Sequence, residues 1–302
     1  MKKHIVTAFI LLIAFTSCQK ELSYTVDQVG TGTNPGTGGG TGGGGTGGGS
    51  NGSILVRAVQ TQGNDSTIFT YEYDSNSKLI KVNAFESASP TAIYYGRVYR
   101  DATGRVTTAV QKIDVGLFPG IPTGFLPDSV VYSIKYPTTT STNFTYKIAK
   151  VVTPAVTVYD SVVYTYSGNN IISETNYNYS TAITTAPEPS GKTTYAYDAN
   201  GNVTQSLIYN YNSTTSQFEL EETNNYTMDT KLNPLAIGKE FLLIETGWGS
   251  GANNIINSTN LSGGVTTTAT INFLYNTSNF PKSGTLVETN PTATYNLALY
   301  YN

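Results

Sequence analysis

Histidine and cysteine are nearly missing from this 302-residue chain: one of each, His4 and Cys18, both close to the N-terminus. Everything after Cys18 lacks imidazole and thiol. That excludes Ser-His-Asp and Cys-His nucleophilic centres, zinc held by His and Cys, haem on histidine and disulfides from the body of the protein. Charge is scarce as well. Asp, Glu, Lys and Arg make up 12% of the chain, against roughly a quarter in an ordinary soluble protein. No basic block follows Lys2-Lys3, which argues against a nucleic-acid partner and against electrostatic adsorption to anionic lipid. No long stretch carries the 3.6-residue apolar period of an amphipathic helix. Thr, Asn, Ser and 23 Tyr take the place of charge, and Tyr, Thr and Val favour strands.

The N-terminus carries an address. Met1-Lys2-Lys3-His4 is a short basic start, and the apolar segment from Ile5 to Phe15 is too short for a bilayer, which needs roughly 20 residues. Phe15-Thr16-Ser17-Cys18 then resembles the lipobox of bacterial lipoproteins, with Phe15 where an aliphatic residue is usual. The resemblance implies that residues 1–17 are a cleaved signal peptide. It also implies that Cys18 becomes the first residue, acylated (palmitate among the chains) on sulfur and amine. Two or more acyl chains anchor stably where one does not. Gln19-Lys20-Glu21 resembles the surface-export signal of some Gram-negative lipoproteins. The expected location is therefore the outer membrane, held through the acyl chains on Cys18 and facing the exterior. Loss of Lys2 and Lys3 leaves 15 basic against 20 acidic residues, a net charge of −5.

Residues 18–52 read as a tether. From Gly30 to Gly52 the chain is nearly all Gly and Thr, unable to bury apolar surface. The roughly 34 residues after Cys18 have an r.m.s. reach of about 30 Å as a Gly-rich coil, and no Gly-Lys-Ser/Thr follows to make a phosphate loop.

Residues 53–302 read as one all-β domain. Ile54-Leu55-Val56-Arg57-Ala58-Val59 alternates, and Tyr-x-Tyr recurs at Tyr71/Tyr73, Tyr164/Tyr166, Tyr177/Tyr179, Tyr195/Tyr197 and Tyr209/Tyr211, which on a strand puts both rings on one face. A longer unit repeats. Its cleanest copy is Tyr195-Ala196-Tyr197-Asp198-Ala199-Asn200-Gly201-Asn202-Val203. Others run from Tyr71 through Asp74 to Leu79, from Val98 through Asp101 and Gly104 to Val106, from Tyr164 to Ile171, from Tyr226 through Asp229 to Leu235, and from Phe273 through Asn276 to Pro281. A weaker match links Asp128-Ser129-Val130-Val131-Tyr132 to Asp160-Ser161-Val162-Val163-Tyr164. Each unit predicts a hairpin: Asp caps the turn with its side chain and Gly or Asn supplies the left-handed residue. A spacing of about 31 residues holds two strands and two connections, so the domain is expected to contain on the order of 14 to 16 antiparallel strands.

The Tyr-Asp-x-x-Gly unit resembles the YD repeats of Rhs-type shell proteins. The set of units, with Asn233-Pro234-Leu235 and Phe280-Pro281 and the lipid signal and linker before them, more closely resembles an outer-membrane lipoprotein family of unknown function with a porin-like fold. That resemblance implies a large antiparallel meander of hairpins in a single sheet, curling into an open or closed barrel-like form. It supplies no catalytic residues. The strands lack the sustained apolar outer face of a membrane barrel.

Few residues remain as candidates for chemistry. Glu219, Glu221 and Glu222 cluster near a strand, and paired carboxylates about 5 to 9 Å apart suit glycoside hydrolysis. A solvated strand face that discourages edge pairing is the favoured explanation, since Glu219 and Glu221 share one polar face. Asp198-Ala199-Asn200-Gly201-Asn202 has calcium-loop residues but turn spacing. Trp248, the only tryptophan, sits in Gly247-Trp248-Gly249-Ser250-Gly251 and is a candidate for stacking on a sugar. Ser66, Ser129 and Ser161 fall in Asp-Ser/Thr-apolar tripeptides that resemble an O-glycosylation motif. No metal or cofactor is expected. The reading is a non-enzymatic surface lipoprotein, structural or ligand-binding, with polysaccharide or a surface protein as partner; a glycan-binding accessory protein and a carboxylate glycosidase are the alternatives.

Overall fold

A computed structural model of the protein describes residues 54–87, 89, 91–113, 129–152, 157–180, 187–244 and 251–302. Cys18, the tether and Trp248 lie outside the described residues. Sixteen strands follow one another: β1 Leu55–Gln62, β2 Asp65–Tyr73, β3 Leu79–Glu86, β4 Ala92–Arg100, β5 Val106–Ile113, β6 Val130–Lys135, β7 Tyr146–Val152, β8 Thr157–Ser167, β9 Asn170–Ser180, β10 Glu188–Tyr197, β11 Val203–Asn212, β12 Gln217–Leu232, β13 Asn253–Ser262, β14 Val265–Tyr275, β15 Pro281–Glu288 and β16 Ala293–Tyr301. Each pairs antiparallel with its sequence neighbours, and β1 pairs with β16, so the meander closes into a barrel. Closure leaves no unpaired edge, which manages the aggregation hazard of a long sheet without charged edge strands.

The hairpins form as the repeat predicts. Asp74, Asp101, Asp198 and Asn276 open four copies of one turn. In each, the first residue's Oδ1 accepts the backbone N–H of the residues two and four positions on. The residue three positions on is left-handed: Ser77, Gly104, Gly201 and Asn279, with φ of 59°, 81°, 75° and 64°. Register shifts by one residue just before each turn, at Tyr73, Arg100, Tyr197 and Tyr275. The shift is a bulge, and it lets a turn of this length fit strands that twist.

Two copies depart from the expectation. Between β8 and β9 the turn has only two central residues, Gly168 and Asn169, with Gly168 at φ 60°. The unit beginning at Tyr226 makes no hairpin turn. β12 runs on through Asp229 to Leu232, and the chain then inserts a segment before β13. That segment holds a 3-10 turn, Gly238–Glu240, and a single helical turn, α1, Phe241–Ile244. The expectation of β structure throughout is corrected here. Phe241-Leu242-Leu243-Ile244 is apolar on every side, so no single wet face exists to give it a strand or helix period. It enters the barrel instead.

All of these turns, both chain ends of the barrel and the inserted segment lie at one end, called here the tether end. The connections β1–β2, β3–β4, β11–β12, β13–β14 and β15–β16 lie at the other, distal, end.

Candidate functional site: the barrel lumen

Alternation along each strand sends one set of side chains inward. At the tether end this set is apolar and aromatic: Leu55, Tyr71, Leu79, Val98, Val106 and Ile171 are among the buried core residues. Both tyrosines of Tyr71/Tyr73, Tyr164/Tyr166 and Tyr195/Tyr197 face in, whereas Tyr177 and the pair Tyr209/Tyr211 share the outer face with Ser161 and Lys192. Four tyrosines at the tether-end rim, two of them the second of such a pair, have a further task. Tyr73 donates its hydroxyl to Leu55 O at 2.7 Å, Tyr136 to Val106 O at 3.0 Å, Tyr197 to Ile171 O at 2.8 Å and Tyr301 to Pro281 O at 2.7 Å. Each acceptor stands at the start of the neighbouring, preceding strand. Arg100 does the same where Tyr is replaced, Nη2 donating to Leu79 O at 3.2 Å. These clasps join strand pairs that no tether-end turn connects, and they satisfy carbonyls at the barrel rim. Burial pushes the phenols up, Tyr136 to about 12 with help from the charge of Glu240, so they remain donors at any physiological pH.

The inserted segment plugs this end. Leu235 and the four residues of α1 are buried in the core, and burial of side chains of this size is worth roughly 1.5–3 kcal/mol each before ordering costs. Polar contacts fix its position. Glu240 accepts from Arg100 Nη1 at 2.8 Å and Nη2 at 2.6 Å, a bidentate pair; Lys239 donates to Asn143 Oδ1. Tyr94 donates to Ile244 O at 2.8 Å, and Lys147 Nζ to Leu242 O at 3.4 Å. Gly96 on β4 is required by this approach: a Cβ there would stand 2.5 Å from Ile244 O.

Beyond the plug the lumen wall turns polar. Gln60, Thr67, Gln111, Glu174, Thr193 and Asn224 are buried, with Glu288 and Asn260 on the same inner face. The carboxylates here are held by hydrogen bonds. Tyr132 donates to Asp160 Oδ2 at 2.9 Å and Tyr195 to Glu174 Oε1 at 2.7 Å, while Asn224 Nδ2 donates to Glu222 Oε1 at 2.7 Å. Desolvation raises the pKa of Asp160, Glu222 and Glu288. Lys147 sits 4.9 Å over the Tyr132 ring and offsets part of the rise at Asp160. The amide of Gln60 and the hydroxyl of Thr67 are buried without a protein partner.

The outer wall is mixed, with exposed apolar residues such as Ile172, Leu261 and Val287 among polar ones. Thr266, Thr268 and Thr270 on β14, Thr294 and Asn296 on β16 and Ser173 and Thr175 on β9 face out, with Arg97, Lys150 and Lys192 in the middle of β4, β7 and β10.

The expected site residues are dispersed. A bulge at Glu221 sends Glu222 inward, while Glu219 and Glu221 stay exposed and Asn212 donates to Glu219 at 2.7 Å. The three acids therefore form no facing pair. Asp198 spends its carboxylate on the turn and on Asn202 Nδ2. Ser66 faces outward on β2, sharing a hydrogen bond with Thr61 at 3.1 Å; Ser161 faces outward between Ile148 and Tyr177; Ser129 is half-buried just before β6. The clasps and the plug were missed by sequence reasoning. The available signals were the Tyr directly before the turn aspartate at Tyr73 and Tyr197 and the unbroken apolar run 241–244.

No family model matches the sequence, and no curated protein matches it. Among solved structures the chain is similar to a porin-like protein from Bacteroides vulgatus, at 12% identity over 83% of this chain and 99% of that one, with a TM-score of 0.48. It is similar also to a porin-like protein from Bacteroides uniformis, at 11% identity over 82% and 96%, with a TM-score of 0.49. The closed sixteen-strand meander itself rests on this chain's own strand register.

Proposed function

We propose that this chain is a surface-displayed, lipid-anchored barrel that stands in water as a non-enzymatic structural or ligand-binding module and conducts nothing. The observation that carries the reading is the charge set midway up its outer wall, at Arg97, Lys150 and Lys192. A membrane barrel turns an apolar band about 25 Å tall outward and keeps a polar lumen. Here the apolar core points in. The outer wall mixes Thr, Ser, Asn, Arg and Lys with apolar residues such as Ile172, Leu261, Leu274 and Val287, with Arg97, Lys150 and Lys192 set into the middle of their strands. Moving Arg97, Lys150 and Lys192 onto hydrocarbon would cost roughly 2–4 kcal/mol for each one near the bilayer midplane. The plug supports the same reading, since it fills the end at which a channel would have to open. Attachment then falls to Cys18 and its acyl chains.

Two measurements test this. The purified chain reconstituted into planar bilayers gives no conductance steps. The Cys18→Ala chain, washed at high salt, leaves the membrane fraction and remains soluble without detergent. Discrete conductance, or aggregation of the Cys18→Ala chain until detergent is added, refutes the proposal.

A further inference from the structure

The sequence shows no basic block, yet the fold builds one out of distant residues. Among the described residues ten charged side chains are well exposed, and they are sorted by height on the barrel. Toward the tether end stand Arg57, Lys78, Lys135 and Lys282 with one acid, Glu72. Toward the distal end stand Asp65, Glu188, Glu219 and Glu221 with one cation, Lys150. Placement on the strands makes the sorting plain. Arg57 is near the start of β1, Lys78 precedes β3, Lys135 closes β6 and Lys282 is the second residue of β15, all at the tether end. Asp65 opens β2, Glu188 opens β10 and Glu219 and Glu221 lie early in β12, all at the distal end. Half-buried groups are mixed: Lys81, Arg97, Arg105 and Lys231 lie low beside Asp74, Asp101, Asp198, Asp229 and Glu240, and Lys112 lies high with Glu86 and Glu222, so the sorting is carried by the exposed side chains.

The basic end carries a second feature. Tyr300, Tyr99, Tyr146 and Leu274 are exposed there on the outer wall, and cations accompany them. Arg57 lies 5.2 Å from the centroid of the Tyr300 ring and Arg97 4.8 Å from that of Tyr99. Lys135 is the cross-strand partner of Tyr146. Tyrosine with Lys or Arg is the side-chain chemistry of the membrane–water interface: the ring settles among headgroups and the cation meets phosphate. The turn aspartates on this rim, Asp74, Asp101 and Asp198, are half-buried, each with an oxygen held by two backbone N–H groups.

We propose that the tether end of the barrel is a docking face for an anionic lipid surface, so that the barrel rests on the membrane basic end down and presents its acidic, polar-walled end outward. This rests on the lipid-anchored reading above, because the anchor brings this end to the bilayer: β1 begins at Leu55, a tether's reach from Cys18. A cation close to an anionic leaflet strengthens binding by roughly fivefold, within a Debye length of the surface. Four such groups give weak binding by themselves. Added to an anchor they set which way the barrel faces.

The test separates the face from the anchor by using the full chain with Cys18→Ala. Co-sedimentation is measured with vesicles of phosphatidylcholine alone and of phosphatidylcholine mixed with phosphatidylglycerol. The expected result is binding to the mixed vesicles at low salt, about tenfold or more above that to neutral vesicles, and its loss at high salt. The triple variant Arg57→Glu, Lys135→Glu, Lys282→Glu loses that binding while keeping the parent unfolding midpoint; these side chains are exposed, so the fold tolerates them. A distal control, Glu219→Lys with Glu221→Lys, binds as the parent does. Equal binding to both vesicle types, no binding to either, or a distal control that gains as much as the triple variant loses overturns the inference. None of these outcomes bears on whether Cys18 is acylated, which membrane release at high salt reports separately.

Discussion

Gly96→Ala tests whether the plug is integral to the barrel. The new Cβ would lie 2.5 Å from Ile244 O and 2.8 Å from Tyr94 Oη. The first contact is backbone, held inside the core, so it cannot yield as a side-chain tip would. Either β4 or α1 has to shift. Overpacking of this kind costs about 1–3 kcal/mol, and displacement of Ile244 also breaks the hydrogen bond it accepts from Tyr94, worth about 1 kcal/mol. The expected loss is about 2–4 kcal/mol, or roughly 4–16 °C in Tm for a domain of this size. Urea unfolding followed by tyrosine fluorescence gives the energy, and hydrogen exchange gives the location. Exchange should rise in 238–244 and in β3 to β5 before it rises at the β11–β12 wall. Tyr94→Phe alone should cost only the hydrogen bond, and combined with Gly96→Ala should add little, because the bond is already gone. A loss below about 0.5 kcal/mol with unchanged exchange in 238–244 would show that the plug is a loose insert and would remove one support of the non-conducting reading.

Other expectations follow from the lumen. Tyr197→Phe should cost about 1 kcal/mol through its lost clasp to Ile171, whereas Tyr166→Phe should be neutral or stabilising, since the Tyr166 hydroxyl is buried without a partner; equal losses in both would refute the clasp. Glu288→Gln should stabilise the barrel at neutral pH. Burial raises the Glu288 pKa, so the folded state holds a proton the unfolded chain has released, and stability falls as pH climbs above the ordinary carboxylate value. The variant's advantage should vanish in unfolding experiments below that value and grow above it; an advantage independent of pH would contradict the assignment. Mass analysis of the native protein checks Ser66, Ser129 and Ser161: a sugar mass on any of them supports the glycosylation motif, and three unmodified peptides end it.

Much of the fold was legible because the turn chemistry is local. Asp followed three positions later by Gly states a hairpin within five residues, and its cap and left-handed residue are present in four copies. Tyr-x-Tyr stated correctly that two rings share a face. It did not state that the hydroxyl of Tyr73 or Tyr197 would reach the preceding strand, since the acceptor carbonyls lie 18 and 26 residues back. Closure was not readable either: β1 meets β16 across the whole domain, and nothing local to Leu55 or Tyr301 announces the other. The Tyr226 copy misled because a turn signature can be interrupted after its aspartate; Asp229 keeps its Asx role toward Lys231 while the chain leaves for the lumen. The axial sorting of charge was hidden for a related reason. Arg57, Lys78, Lys135 and Lys282 are scattered along the sequence, and only alternate strand directions bring them to one height.

The seam between β1 and β16 also has a mechanical meaning. The tether leaves the barrel where β1 begins, and Leu55 is held there by the Tyr73 clasp while Asn302 N–H bonds Ile54 O. Under the anchoring proposed above, drag on the barrel pulls along β1, parallel to its ladders with β2 and β16. Bonds on both sides share that load together; none is peeled open in turn. A strand loaded in shear on two sides resists more force than an edge that unzips bond by bond, so a pull delivered at Leu55 meets the sheet where both neighbours share it.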